Sequence, residues 1–146
     1  KENLILPHLN DLCRLGYLSS SKIADYIKAI IDRFSVKISS PLQTVRTLSG
    51  GNQQKVSIGK WMGESCAVWI FDEPTQGIDV DTKTEIYTIM GKLAQAGSAI
   101  WFISSDLREL ISICDRIYVM YNFALVGEFV SPYNREELLT KMMGGK

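Results

Sequence analysis

The sequence predicts an α/β protein: a mostly helical part in residues 1–62, then a parallel strand–helix–strand core in residues 63–146. Three observations carry this. Residues 67–71 (Ala-Val-Trp-Ile-Phe) and 99–103 (Ala-Ile-Trp-Phe-Ile) are continuous apolar runs, as expected of strands covered on both faces. Apolar residues at helical spacing lie between them, and strand, helix, strand, helix, strand is the order of a parallel sheet. Before residue 63 the apolar residues instead recur at intervals of three and four.

In chain order, Ser20 or Ser21 can cap a helix whose apolar face is Ile23, Tyr26, Ile27, Ile30, Ile31 and Phe34. Pro41 suits the first turn of a short helix that ends before Ser49. A helix follows from Gly51 to about Met62, with Val56, Ile58 and Trp61 as its buried positions. After the first strand, Thr82-Lys83-Thr84-Glu85 reads as a capping box before a helix that buries Ile86, Ile89, Met90 and Leu93. Asp106-Leu107-Arg108-Glu109 opens another helix in the same manner, residues 116–121 and 125–130 read as strands, and Asn134 can cap a last helix through Met142.

Composition excludes several classes. At 146 residues, 46% apolar and 22% charged, the chain is one ordinary globular domain or a large piece of one. Sixteen basic residues balance sixteen acidic ones, which points away from nucleic acid and from an anionic membrane surface. Cys13, Cys66 and Cys114 are odd in number and far apart, which argues for a reducing compartment and against structural zinc or a disulfide framework. No run approaches the ~18 apolar residues of a membrane span. The opening Lys-Glu-Asn-Leu-Ile-Leu-Pro is not a signal peptide and has no initiator Met, so residue 1 is expected to lie inside a longer protein. The Lys-Met-Met-Gly-Gly-Lys end looks like a natural tail after a helix.

Two stretches carry chemistry. In Leu-Ser-Gly-Gly-Asn-Gln-Gln-Lys-Val, residues 48–56, adjacent glycines let backbone amides approach an anion at the start of a helix. In Phe-Asp-Glu-Pro-Thr, residues 71–75, Asp72 and Glu73 stand at the carboxyl end of a parallel strand, where such sheets bind ligands. Asp72 there can hold Mg²⁺ directly or through water, and Glu73 can orient or deprotonate an attacking water. Taken singly, Asp72 and Glu73 also read as solvated residues leaving a strand, and Ser49-Gly50-Gly51 as a turn that starts a helix. Their order, with Gly77-Ile78-Asp79 following, is too long a coincidence for either alternative.

That order resembles the nucleotide-binding subunits of ATP-binding cassette (ABC) transporters, over roughly residues 40–130. Residues 48–53 match the family's signature motif, residues 68–73 its Walker B strand and residues 77–79 its D-loop. The variant Gly-Gly-Asn-Gln-Gln-Lys-Val, with Gly-Ile-Asp-Val downstream, is similar to the branch that imports ribose, xylose or galactose, in which two nucleotide-binding halves are fused; residues 102–106 and the tail look like the C-terminal half. The resemblance implies a partial P-loop NTPase domain, a helical subdomain (1–62) that faces the permease plus the last part of a RecA-like parallel sheet (63–146). It implies ATP and Mg²⁺ as cofactors. Ser49, Gly50, Gly51, Asn52, Gln53, Asp79 and Ser105 would line nucleotide, Asp72 would hold the metal, and Glu73 would be catalytic. The partners implied are the other nucleotide-binding half, the transmembrane permease subunits and, indirectly, a sugar-binding protein, at the cytoplasmic face of the membrane.

Three departures stand out. The family's switch histidine falls at Ser105, and a hydroxyl does not replace an imidazole contact to γ-phosphate. His8, the one histidine, reads as an ordinary surface residue, and the family's Glu-Gly turn is Asn122-Phe123, without the glycine that a tight hairpin favours. The Walker A and Gln loops have no counterpart; Gly59-Lys60-Trp61 and Gly91-Lys92-Leu93 lack the flanking residues, and truncation and natural degeneracy both account for this. Without the Walker A strand the sheet is expected to close up or to exchange strands between two copies, since buried edges cannot stay unpaired. ABC proteins sandwich ATP between two halves, so this chain would act in trans through its signature loop, and the isolated chain would be inactive. The alternative is a non-catalytic half that binds its partner without turnover. A soluble cassette ATPase of DNA repair or translation would show coiled-coil heptads or basic stretches, and neither is present.

Overall fold

The computed structural model describes residues 1–14, 17–62 and 66–145. Gly63, the expected start of the second part, and Lys146 of the tail lie outside them. The chain divides into two units, residues 1–69 with 74–100 and residues 70–73 with 101–146.

The first unit opens with the short helices α1 (Glu2–Ile5) and α2 (Leu9–Leu12), separated by a 3-10 turn (Leu6–His8), and a two-residue antiparallel ladder of β1 (Cys13–Arg14) and β2 (Tyr17–Leu18). Helix α3 (Ser20–Phe34) follows. Its cap is Ser19, whose hydroxyl accepts from the Lys22 N–H, rather than Ser20 or Ser21. That one-residue correction follows from geometry: only the residue with extended backbone can turn its side chain onto the first amides. Ile23, Ile27, Ile30 and Phe34 are buried as the spacing predicts. Pro41 lies in a turn and not in a helix; a 3-10 turn over Val45–Thr47 leads to α4 (Gly50–Gly59). Val56 and Ile58 are buried, but α4 ends before Trp61, which is exposed while Met62 turns inward. At Gly59 the backbone of α4 comes so near α3 that a Cβ would stand 2.7 Å from Ile30 Cγ2.

His8 is a correction. It is 3% exposed, its Nε2 donates to the Lys60 carbonyl at 2.8 Å, and its ring lies 4.9 Å from that of Tyr26. The Tyr26 hydroxyl in turn donates to the Met62 carbonyl at 2.7 Å. Carbonyls at a helix end lack intrahelical partners, and these two side chains supply them. Helix α5 (Val80–Gln95) buries Ile86, Met90 and Leu93.

Strands β3 (Val68–Asp72) and β4 (Ala99–Ile103) pair. The Ala99 N–H donates to Ala67 at one end and the Glu73 N–H to Ile103 at the other, so both strands run the same way. Their burial alternates, against the expected cover on both faces: Trp69 and Phe71 are buried, whereas Ile70 is 70% and Trp101 54% exposed. A strand's side chains point to opposite faces, and here one face only is covered. Nor does the sheet close up. Among the described residues the strands form three separate pairs, and β4 has no ladder to the strand that follows it. The Trp101 ring instead stacks on that of Tyr118, 3° from parallel with centroids 6.1 Å apart.

The second unit adds α6 (Leu107–Ile113), the antiparallel hairpin of β5 (Arg116–Tyr121) and β6 (Ala124–Val130), and α7 (Arg135–Met142), capped by Asn134 as expected. Leu107, Ile117, Val119 and Leu138 form its core. The hairpin turns tightly without glycine: Asn122 at φ +48° and Phe123 at φ +63° take the left-handed pair of a two-residue turn. Phe123 is fully exposed, at 102%, so its ring contributes no packing to offset the strain. Phe123→Gly is expected to stabilise the chain by roughly 0.5–1 kcal/mol, because relief of the left-handed strain exceeds the entropy cost of glycine. A rise in the urea midpoint checks this.

Candidate functional site

The residues singled out from the sequence fall into two groups, one in each unit. In the first unit, Ser49 stands at the N-cap of α4 with extended backbone, yet its side chain makes no cap hydrogen bond. Its hydroxyl accepts instead from Asn52 Nδ2 at 2.8 Å, while Asn52 Oδ1 accepts from the Lys37 N–H, also at 2.8 Å. Gln53 Nε2 donates to the Leu48 carbonyl at 2.9 Å. Asn52 and Gln53 therefore brace the loop from both sides. The other helices of seven or more residues, α3, α5, α6 and α7, each carry a side-chain cap. Among the described residues no side chain caps the amides of α4's first turn, and a helix N-terminus favours an anion by about 0.3–1 kcal/mol. These donors fit a phosphate group.

Asp79 belongs to the same unit. It, not Thr82, is the N-cap of α5, which corrects the capping-box reading: Asp79 Oδ1 accepts from the Thr82 N–H at 2.9 Å and Oδ2 from the Thr82 hydroxyl at 2.8 Å. These two bonds, the backbone one foremost, hold the Asp79 carboxyl below the usual aspartate range. Glu85, the expected acidic partner of Thr82 in the box, pairs with Lys55 of α4 instead. Lys55 is 2% exposed and also donates to the Ser35 carbonyl at 3.2 Å. Sequence reading missed this buried cation, since a lysine between Gln54 and Val56 carries no periodic signal of burial.

In the second unit, Asp72 ends β3 with its carboxylate exposed and in no protein hydrogen bond among the described residues. Mg²⁺ in nucleotide sites takes one or two carboxylates plus water and phosphate, so a single free carboxylate fits it. Among the described residues no group of three or more acidic, histidine or cysteine side chains could cage a metal. Glu73 follows at φ +44°, a conformation that costs a non-glycine residue about 1–3 kcal/mol and is found at functional sites. Its Oε1 accepts from the Ser105 N–H at 2.7 Å. The structure thus joins Glu73 to Ser105, through the Ser105 backbone and not its side chain. Next to it the Ser104 hydroxyl donates to the buried Glu109 at 3.2 Å and accepts from the Asp106 N–H.

A parallel strand pair ending in Asp-Glu, with a glycine-started helix earlier in the chain, is consistent with the order of motifs that resembles an ATP-binding cassette. The chain belongs to the ABC transporter family, whose profile matches residues 3–76. It is 40% identical to the ribose import ATP-binding protein RbsA of Bacillus subtilis over its whole length, which is 30% of that protein. It is 44% identical to a putative ribose/galactose/methyl galactoside import ATP-binding protein of Rhizobium meliloti, over 97% of this chain and 28% of that protein. The chain therefore spans about three tenths of the length of these relatives. In fold it matches a dimeric ATP-binding cassette in a post-hydrolysis state bound to ADP and Pi, with a TM-score of 0.74 at 21% identity over 88% of this chain and 55% of the other. It also matches an inward-facing putative metal-chelate type ABC transporter, with a TM-score of 0.75 at 16% identity over 97% of this chain and 57% of the other. No helix among the described residues is long and apolar enough to cross a membrane.

Proposed function

We propose that the chain is the C-terminal nucleotide-binding part of the ATP-hydrolysing subunit of an ABC sugar importer, and that it supplies the signature loop to ATP held by a facing half. The observation that carries this is the identity of about 40% over the full chain to ribose import ATP-binding proteins. The uncapped first turn of α4 supports it independently. In this reading residues 1–62 are the helical subdomain that meets the permease and residues 63–146 the end of the ATPase core, peripheral to the cytoplasmic face of the membrane. Ser49 and the Gly50 and Gly51 amides donate to phosphate, and Asn52 and Gln53 hold their loop in place. Asp79 lines the nucleotide from the neighbouring loop. Mg²⁺, when bound, neutralises phosphate charge, and Asp72 would hold it. Glu73, oriented by the Ser105 N–H, aims or deprotonates water.

Titration of Mg-ATP into the 146-residue chain by calorimetry is expected to give no saturable binding, because the chain acts in trans. In the longer protein Ser49→Arg is expected to remove most ATP turnover, since it puts bulk where phosphate must sit. Wild-type turnover in that variant overturns the proposal.

A further inference from the structure

Thr82 touches both loops that the first unit contributes. Its N–H and its hydroxyl occupy the two oxygens of Asp79, at 2.9 and 2.8 Å. The same side chain lies against Gly51 so tightly that a Cβ there would stand 2.8 Å from Thr82 Oγ1 and 3.0 Å from Thr82 Cβ. Beside this contact Gly50 approaches Ile78, and Lys55 of α4 pairs with Glu85 of α5. An exposed carboxylate on a loop ordinarily samples several rotamers. One held at both oxygens by a single residue, itself wedged on a neighbouring helix, does not.

We propose that Thr82 is a positioning residue that locks the 77–79 loop to the signature loop, so that Asp79, Ser49 and Gly50 are presented as one preset surface. The inference deepens the proposed function and rests on it for the nucleotide, but the lock itself is a property of this chain alone. The lowered titration of Asp79 is what such a lock produces.

The test compares Thr82→Val, which keeps the shape and loses the hydroxyl, with Thr82→Ser, which keeps the hydroxyl. The first readout is the Asp79 carboxyl titration by carbon-13 NMR on the 146-residue chain. The second is kcat and KM for Mg-ATP in the longer protein. In Thr82→Val the Asp79 midpoint is expected to move up part of the way toward the ordinary aspartate value, since the larger, backbone bond from residue 82 remains. In the same variant kcat is expected to fall roughly 3–10-fold at unchanged KM, the worth of one hydrogen bond of orientation. Thr82→Ser is expected to keep the midpoint low and to recover most of kcat. A Thr82→Val midpoint that does not move, or a Thr82→Ser variant that behaves like Thr82→Val, overturns the lock; if Thr82→Val does not fold, Thr82→Ala carries the same comparison. Absence of ATPase activity in the wild-type longer protein would sink the functional reading instead, and the titration would still judge the lock.

Discussion

Glu73→Gln in the longer protein is expected to lower ATP turnover by roughly 10²–10⁴-fold, the range lost with a positioned general base. The substitution isolates basicity from structure. Glutamine has the same length, and its carbonyl oxygen can accept from the Ser105 N–H as the Glu73 carboxylate does at 2.7 Å. The backbone strain at φ +44° is untouched, so the melting temperature is expected to hold. Steady-state phosphate release at saturating Mg-ATP, with a melt as control, reads the result. A nearly unchanged rate would mean that the site containing Glu73 is the degenerate one and that turnover belongs to the facing half; the signature loop would then be this chain's contribution to catalysis.

Gly51→Ala is expected to destabilise the 146-residue chain by about 1–3 kcal/mol, the usual cost of overpacking a tight contact. Both glycines of the signature loop read alike in the sequence, as residues that let amides approach phosphate. The structure separates them. A Cβ on Gly50 would meet Ile78 Cγ2 at 3.7 Å, an ordinary contact, whereas one on Gly51 would drive into Thr82. Gly50→Ala is therefore expected to be close to neutral in stability. Urea unfolding of the two variants checks the difference, and Thr82→Ala in the Gly51→Ala background is expected to recover part of the loss because the two sites share the contact. Equal stabilities for Gly50→Ala and Gly51→Ala would show that the helices adjust freely. The consequence reaches function: loss of turnover in Gly51→Asp would combine a packing defect with a blocked phosphate site, so Ser49→Arg is the cleaner probe of the loop.

The elements were legible wherever local chemistry decides them. The three-and-four spacing of Ile23, Ile27, Ile30 and Phe34, the caps Asp106 and Asn134, and the apolar runs at 67–71 and 99–103 all became the elements expected of them. The ordered motifs, with no counterpart to Walker A beside them, sufficed for the family. Which oxygen caps α5 was not legible, because Asp79 and Thr82 are both good caps and backbone geometry chooses between them. His8 was misread for a related reason: one histidine carries no periodicity, and only the Lys60 and Met62 carbonyls at the end of α4 create a buried place for it and for Tyr26.

The sequence by itself determined the fold class, the order of the motifs and the positions that bear chemistry, since these depend on residue type and short spacing. Tertiary structure decided what depends on distant neighbours. It set the burial of Lys55 against Ser35 and Glu85 and the wedge of Thr82 on Gly51. It also gave β3 and β4 one open face, and it imposed a left-handed turn on Phe123 between two strands already in register. The physical reason is the same in each case: burial, close approach and backbone strain are set by what packs from elsewhere in the chain, and local sequence carries no record of it.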